Sequence, residues 1–165
     1  MASLTLFDNQ NNILVDEKGH AILIDFGRSK VIGEVGYSTA LLAGSAAYMA
    51  PELFPRGEVN IDELFSKESD IYAFGMVCVM VSLIPGEKSF SRDIFQIFTG
   101  EAPFAYYKAH LDWQIVPLVQ QGRRPVATSE VKLCISAKMW KLMEACWVIG
   151  PKDRPTAEEI VRQLP

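Results

Sequence analysis

Two side chains that could hold a metal ion lie at opposite ends of one stretch, residues 12–27, which reads N-I-L-V-D-E-K-G-H-A-I-L-I-D-F-G. Asn12 precedes an apolar run over residues 13–15, and Asp25 follows a second apolar run over residues 21–24. A polar turn with a glycine separates the runs, which is typical of a β-hairpin. The two ends of a hairpin can lie side by side, so both side chains can face one cavity. Amide and carboxylate oxygens placed in this way suit Mg²⁺.

This stretch resembles the part of protein kinases that contains the catalytic-loop asparagine and the Asp-Phe-Gly motif, here Asp25, Phe26 and Gly27. In that family the asparagine and the aspartate hold the Mg²⁺ of ATP. The resemblance therefore implies that Asn12 and Asp25 bind the metal and the nucleotide, with Mg²⁺ and ATP as cofactors. Asp25 alone could be a turn residue after a strand. The motifs around it favour the ligand role.

An Ala-Pro-Glu sequence at residues 50–52 supports the resemblance, because it follows Asp25 by 25 residues (from 25 to 50), as in the kinase activation segment. Pro51 can open a helical turn, and Glu52 suits the positive end of that turn. The motifs together, in this order and at this spacing, are far more specific than either alone.

The segment between the two motifs, residues 28–49, is long and has no clear period. Loops of this length inside a domain are usually functional or mobile. Ser38, Thr39 and Ser45 are possible phosphate acceptors, although loops are generally rich in such residues. Ser45 lies where Ser/Thr kinases carry the threonine that docks the substrate. The resemblance thus implies a Ser/Thr kinase of the tyrosine-kinase-like branch.

A nearly unbroken apolar run at residues 71–84 predicts a central, buried helix. Either Ser66 or Ser69 can cap it. The run resembles the helix at the middle of the kinase C-lobe, in which the aspartate matching Asp70 ties the helix to the catalytic loop. Without the flanking motifs, Asp70 would be taken as a charged residue in a solvated first turn.

The C-terminal part adds a long-range expectation. In kinases the arginine matching Arg154 pairs with the glutamate matching Glu52, 102 residues away (154 − 52), and a buried charge needs such a partner. Thr156 and Glu159 have capping-box spacing at the start of a last helix.

Two further C-terminal features have plain interpretations. Arg123 and Arg124 beside a proline could bind an anion, but a solvated surface turn is favoured. A helical stripe is assigned to the core rather than to a cofactor: Met139, Trp140, Leu142, Met143, Cys146 and Trp147.

The chain departs from the kinase pattern at residues 79–96. These 18 residues stand where the resemblance leads us to expect about two. We interpret them as an insertion whose first part prolongs the central helix and whose second part loops out. Retained intron sequence is one hypothesis for its origin, and a transcript joining residue 78 to about residue 97 would support it.

The catalytic loop also departs from the pattern. Counting back from Asn12, the base position of His-Arg-Asp-x-x-x-x-Asn holds Phe7 (12 − 5), and the histidine and arginine are missing too. Phenylalanine cannot accept a proton. Asp8 is one residue out of register and could act only in a shortened loop, so no catalytic residue is assigned.

Composition limits the remaining functions. The chain has 165 residues, 49% of them hydrophobic, and a net charge of −4, which argues against broad nucleic-acid binding. The longest apolar run suits a buried helix better than a membrane span. The three cysteines are widely spaced in apolar surroundings, which favours reduced thiols and a cytoplasmic, intracellular location.

The predicted fold is mainly α (α+β), a kinase-like C-lobe with a short β-hairpin at its start and a central buried helix. Residues 1–11 are interpreted as a strand-poor lead-in with a degenerate catalytic loop, and residues 12–165 as a partial kinase domain. We expect neither a glycine-rich strand pair nor its lysine ahead of the hairpin.

Three hypotheses about function remain open. In the first, the chain belongs to a longer kinase that transfers a phosphoryl group from ATP to Ser or Thr of proteins. In the second, it is a pseudokinase-like module that binds a partner protein. In the third, it is a truncated product without independent function. Catalysis by this chain alone is not expected, and its binding of nucleotide should be weak or absent.

Overall fold

The protein is represented by a computed structural model. It describes residues 3–4, 12–18, 20–24, 30–31, 46–55, 57, 65–81, 103–109, 111–126 and 136–164.

Among the described residues, four short strands form two antiparallel pairs: β1 (Ser3–Leu4), β2 (Ile13–Val15), β3 (Ala21–Leu23) and β4 (Lys30–Val31). β2 and β3 form the predicted hairpin, in which Leu14 lies opposite Ile22. The turn between them is held by Asp16, whose Oδ1 accepts the backbone N–H groups of Lys18 and His20 at 2.8 Å each. An aspartate that caps its own turn in this way fixes the loop, and with it the register of the strands.

β1 pairs with β4, and the sequence predicts neither strand. Residues 1–11 are expected to be poor in strands, and residues 28–49 show no period. A strand of two residues is too short to show the alternation by which strands are predicted. Its partner is also distant in sequence, so only the folded chain brings the two together.

The longest elements in the described chain are four helices: α1 (Lys67–Val81), α2 (Asp112–Gln120), α3 (Ala137–Cys146) and α4 (Ala157–Gln163). The described ranges also contain 3-10 turns at Pro51–Leu53, Ala105–Tyr107 and Pro151–Asp153. The predicted fold class, mainly α with a short hairpin, is confirmed. α1 includes residues 79–81, the start of the expected insertion, whereas residues 82–96 lie outside the described residues.

The helix starts follow local capping rules. Ser66 caps α1: its Oγ accepts the N–H of Ser69 at 3.2 Å, while the Oγ of Ser69 accepts the N–H of Ser66 at 3.2 Å. Thr156 and Glu159 form the predicted capping box on α4, with distances of 3.2 and 2.8 Å. Each bond satisfies a backbone N–H that the first helical turn leaves without an intrahelical acceptor.

α1 is the central helix of the core, as predicted. Tyr72 and Met76 on this helix are fully buried. A Cβ atom added to Gly75 would lie 2.7 Å from the Cβ of Cys146, so α1 and α3 pack too closely for any larger residue at position 75. The stripe on α3 lies on this side, with Met139 and Trp140 partly buried and four members buried: Leu142, Met143, Cys146 and Trp147.

Candidate functional site

The two ends of the hairpin lie side by side, as the sequence predicts. The backbone N–H of Ile24 donates to the backbone carbonyl of Asn12 at 2.9 Å. Asn12 is buried, with 8% of its surface exposed, although its side chain is polar. The residue after Ile24 is Asp25, which lies outside the described residues together with Phe26 and Gly27.

A buried amide at the start of β2 is chemically suited to be one oxygen ligand of Mg²⁺. Within the described ranges, no group of three or more His, Cys, Asp or Glu side chains could hold a metal ion. The roles of Asn12 and Asp25 in binding metal and ATP therefore stay predictions. Other predicted positions lie outside the described residues as well: Phe7, Asp8, Ser38, Thr39 and Ser45.

The segment that follows the predicted phosphate acceptors is packed into the core. Residues 46–50 are all buried. Its first described residue is tied to α2, because the N–H of Ala46 donates to Oδ1 of Asp112 at 3.0 Å. Burial raises the pKa of Tyr48 to about 12, so its phenol stays protonated at neutral pH. Pro51 then opens a 3-10 turn, as its position predicts.

Glu52 and Arg154 form the ion pair that the resemblance implies. Nη1 and Nη2 of Arg154 donate to the two carboxylate oxygens of Glu52 at 2.6 and 2.8 Å. The side chain of Arg154 is completely buried, and that of Glu52 is 22% exposed. Arg154 also donates to the backbone carbonyls of Val148 at 3.0 Å and Glu68 at 2.8 Å. A bidentate pair with further carbonyl partners is the arrangement that makes a buried guanidinium tolerable.

Arg124 is partly buried where the sequence predicts a solvated turn. Nε of Arg124 donates to the carbonyl of Trp147 at 2.7 Å, and its Nη1 donates to the carbonyl of Arg123 at 2.7 Å. Arg124 is thus only partly exposed and is bonded within the fold, whereas Arg123 is exposed, as a surface turn predicts. Local sequence gives no signal for this placement, because Trp147 is 23 residues away.

The buried Arg154 and the partly buried Arg124 both lie against the ring of Tyr72. The Cζ of Arg124 is 5.2 Å and the Cζ of Arg154 is 5.1 Å from its centroid, within the range of cation–π contacts. Burial raises the pKa of the Tyr72 phenol well above its ordinary value, so the ring is neutral. We call Glu52, Tyr72, Arg124 and Arg154 the arginine cluster.

Asp70 lies in the first turn of α1 and is partly buried. Its backbone N–H donates to the carbonyl of Ser66 at 3.3 Å. The catalytic loop to which the resemblance ties its side chain lies, except for Asn12, outside the described residues. This role of Asp70 stays a prediction.

Two of the three cysteines are described, Cys78 and Cys146, and neither forms a disulfide in the described part of the chain. Burial raises the pKa of Cys78 to about 12 and that of Cys146 to about 11. Thiols with such pKa values are poor nucleophiles and poor metal ligands at neutral pH. They agree with the expectation of reduced, packed cysteines.

Comparison with known proteins identifies the class to which this fold and these motifs belong. Residues 9–164 match the protein kinase domain, so nearly the whole chain is covered. The chain belongs to the protein kinase family. The family predicted from the Asp-Phe-Gly and Ala-Pro-Glu motifs is thereby confirmed.

Its relatives include serine/threonine kinases from distant organisms. A probable LIM domain-containing serine/threonine-protein kinase of Dictyostelium discoideum is 30% identical over 153 residues, which are 93% of this chain and 19% of that protein. Human receptor-interacting serine/threonine-protein kinase 3 is 31% identical over 90% of this chain and 26% of its own length. Kinase suppressor of Ras A of Caenorhabditis elegans is 32% identical over 93% of this chain and 18% of its own length.

The chain thus spans about a quarter or less of the relatives it matches. Protein kinases act on proteins and use ATP with Mg²⁺. Among the described residues, no helix is both long enough and apolar enough to cross a membrane.

Proposed function

We propose that this chain is the substrate-docking and metal-holding part of a Ser/Thr protein kinase domain, and that it does not transfer a phosphoryl group by itself. The observation that supports the first half is the Glu52–Arg154 pair, which anchors the end of the activation segment to the helical core. An anchored segment of this kind can position a protein substrate, because residues 46–50, Leu53 and Phe54 around the ion pair are buried in the core.

The second half of the proposal rests on the catalytic loop. Phosphoryl transfer to a hydroxyl needs a group that positions the hydroxyl and accepts its proton. Phe7 occupies that position in register with Asn12 and can do neither. Asn12 and Asp25 would still hold Mg²⁺, which supplies charge neutralisation at the phosphates of ATP.

Phosphotransfer from Mg-ATP to a generic protein substrate tests this proposal. We expect incorporation of phosphate to equal that of the matched variant Asp25→Ala. We expect a fluorescent ATP analogue to bind weakly, with binding that depends on Mg²⁺ and is lost in Asp25→Ala. Phosphorylation of Ser or Thr that requires Asp25 would show that Phe7 does not abolish catalysis.

A pseudokinase-like module that binds a partner protein is the second candidate. The observation that favours it is the apolar surface of the hairpin, where Leu14 and its cross-strand neighbour Ile22 are about half exposed. Such surface suits a protein partner. Nucleotide binding without transfer, together with capture of a partner that Leu14→Ser weakens, would distinguish this function from a truncated product that does neither. For each candidate we propose a cytoplasmic location with proteins, not nucleic acids, as partners.

A further inference from the structure

The arginine cluster contains more positive than negative charge. It has two guanidinium groups, Arg124 and Arg154, and one carboxylate, Glu52. The carboxylate contacts Arg154 directly. Arg124 donates only to backbone carbonyls, and its Nη2 is buried without a hydrogen-bond partner in the part of the chain that the structure describes. Within the arginine cluster, Glu52 is therefore the carboxylate that can offset the charge of both arginines.

The charge of this cluster depends on where Glu52 lies. With Glu52 docked, the guanidinium groups of Arg124 and Arg154 carry a net charge of +1 together with it. With Glu52 displaced, the two groups carry +2. Burial is the main cause that lowers the pKa of Arg124, Arg154 acts in the same direction, and Glu52 acts against it. Like charges in a poorly solvated region repel each other far more strongly than at the surface.

Arg124 is well placed to transmit a change in this charge. Its side chain joins the end of α3, through the carbonyl of Trp147 at 2.7 Å, to the end of α2, through the carbonyl of Val119 at 3.5 Å. Its own backbone carbonyl accepts the hydroxyl of Tyr107 at 3.0 Å. The turn after α2, residues 121–125, is thus attached to three other parts of the fold through one residue.

We propose that the arginine cluster is a conformational device: docking of Glu52 at the end of the activation segment determines how firmly Arg124 holds the turn at residues 121–125. When Glu52 is displaced, the positive charges of Arg124 and Arg154 on the Tyr72 ring have no carboxylate to offset them. Arg124 then moves toward solvent. The turn and the end of α2 then loosen. This inference does not depend on catalysis or on nucleotide binding.

A double-mutant cycle on the whole chain tests the device. The variants are Glu52→Gln, Arg124→Met and the double variant, and the readout is the equilibrium constant of unfolding in urea. We expect Glu52→Gln to raise the unfolding constant in both backgrounds. The factor by which it rises should be about five times smaller with Arg124→Met than in the original chain, which is within the usual range of coupling for interacting residues. Equal effects in the two backgrounds would overturn the proposal.

Glu68→Gln is the matched control for charge. Glu68 also lies near Arg154, but it offers Arg154 its backbone carbonyl, and its carboxylate pairs with Lys152. Glu68→Gln should therefore change the unfolding constant by the same factor in the original chain and in Arg124→Met. Tyr72→Phe keeps the ring and removes a hydroxyl that has no partner among the described residues, so the coupling should persist in that background.

Native-state hydrogen exchange covers the case in which the double variant does not fold. In Glu52→Gln alone, we expect the amides of Gly122 and Arg123, which donate to the carbonyls of Val119 and Leu118, to exchange about fivefold faster. The amides of Ile160 and Leu164 in and after α4 should keep their rates. A uniform increase at both places would show general destabilisation and would overturn the device.

Discussion

Arg154 donates hydrogen bonds to both carboxylate oxygens of Glu52, at 2.6 and 2.8 Å, although the two residues are 102 positions apart in sequence. The pair joins the end of the activation segment to the turn before α4. Its guanidinium is completely buried, so the two charges stabilise the fold only as long as both are present.

Replacement of Arg154 by lysine should destabilise the chain by about 2–3 kcal/mol, because an ammonium group cannot make the bidentate contact or reach the carbonyls of Val148 and Glu68 together. The midpoint of urea unfolding measures this loss. Lys152→Met is the control: it breaks an ion pair between Lys152 and Glu68, but Lys152 is 88% exposed, so the change should stay below about 1 kcal/mol. Equal losses of stability in Arg154→Lys and Lys152→Met would mean that burial does not make the Glu52–Arg154 pair more important than the Glu68–Lys152 pair.

Gly75→Ala should destabilise the contact between α1 and α3 by about 1–3 kcal/mol, because the new methyl group would lie 2.7 Å from the Cβ of Cys146. Cys146→Gly removes that Cβ, so the double variant should lose less stability than the sum of the single variants. Cys146→Ala retains the Cβ and should give no such rescue. Thermal unfolding of the original chain, the three single variants and the two double variants measures these differences. Additive losses in the Gly75→Ala/Cys146→Gly double variant would contradict the close contact.

The α4 capping box should make stability depend on pH in the acid range. The N–H of Thr156 is the main cause that lowers the pKa of Glu159 below its ordinary value of 4.5. A carboxylate with a lowered pKa stabilises the fold above its unfolded pKa, and this contribution disappears as the pH falls through the folded value. The stability difference between the original chain and Glu159→Gln should therefore be present at pH 7 and shrink below pH 4.5. A difference that is constant with pH would exclude the carboxylate as the capping group.

Cys78 and Cys146 should resist alkylation in the folded chain. With pKa values of about 12 and 11, their thiolate fractions at pH 8 are about one in a thousand or less, and burial hinders access further. Peptide mass spectrometry after treatment with iodoacetamide measures each thiol separately. Both should react within minutes once urea unfolds the chain. Rapid reaction of either thiol without urea would show that the contact between α1 and α3 opens readily.

The sequence by itself determined the features that depend on near neighbours. The hairpin, the proline that opens the turn before Glu52, and the capping box of Thr156 and Glu159 each follow from residue types within a few positions. Long-range contact between Glu52 and Arg154 was predictable only through resemblance, since no local pattern links residues that far apart.

Only the tertiary structure decided where the side chain of Arg124 lies. Arg124 stands in a polar turn beside a proline, which by itself predicts exposure, yet its guanidinium reaches Trp147 and the ring of Tyr72. The pairing of β1 with β4 and the contact of Gly75 with Cys146 were decided in the same way. The physical reason is common to all three. Burial and packing depend on which distant segments come into contact, and local sequence patterns do not indicate those contacts.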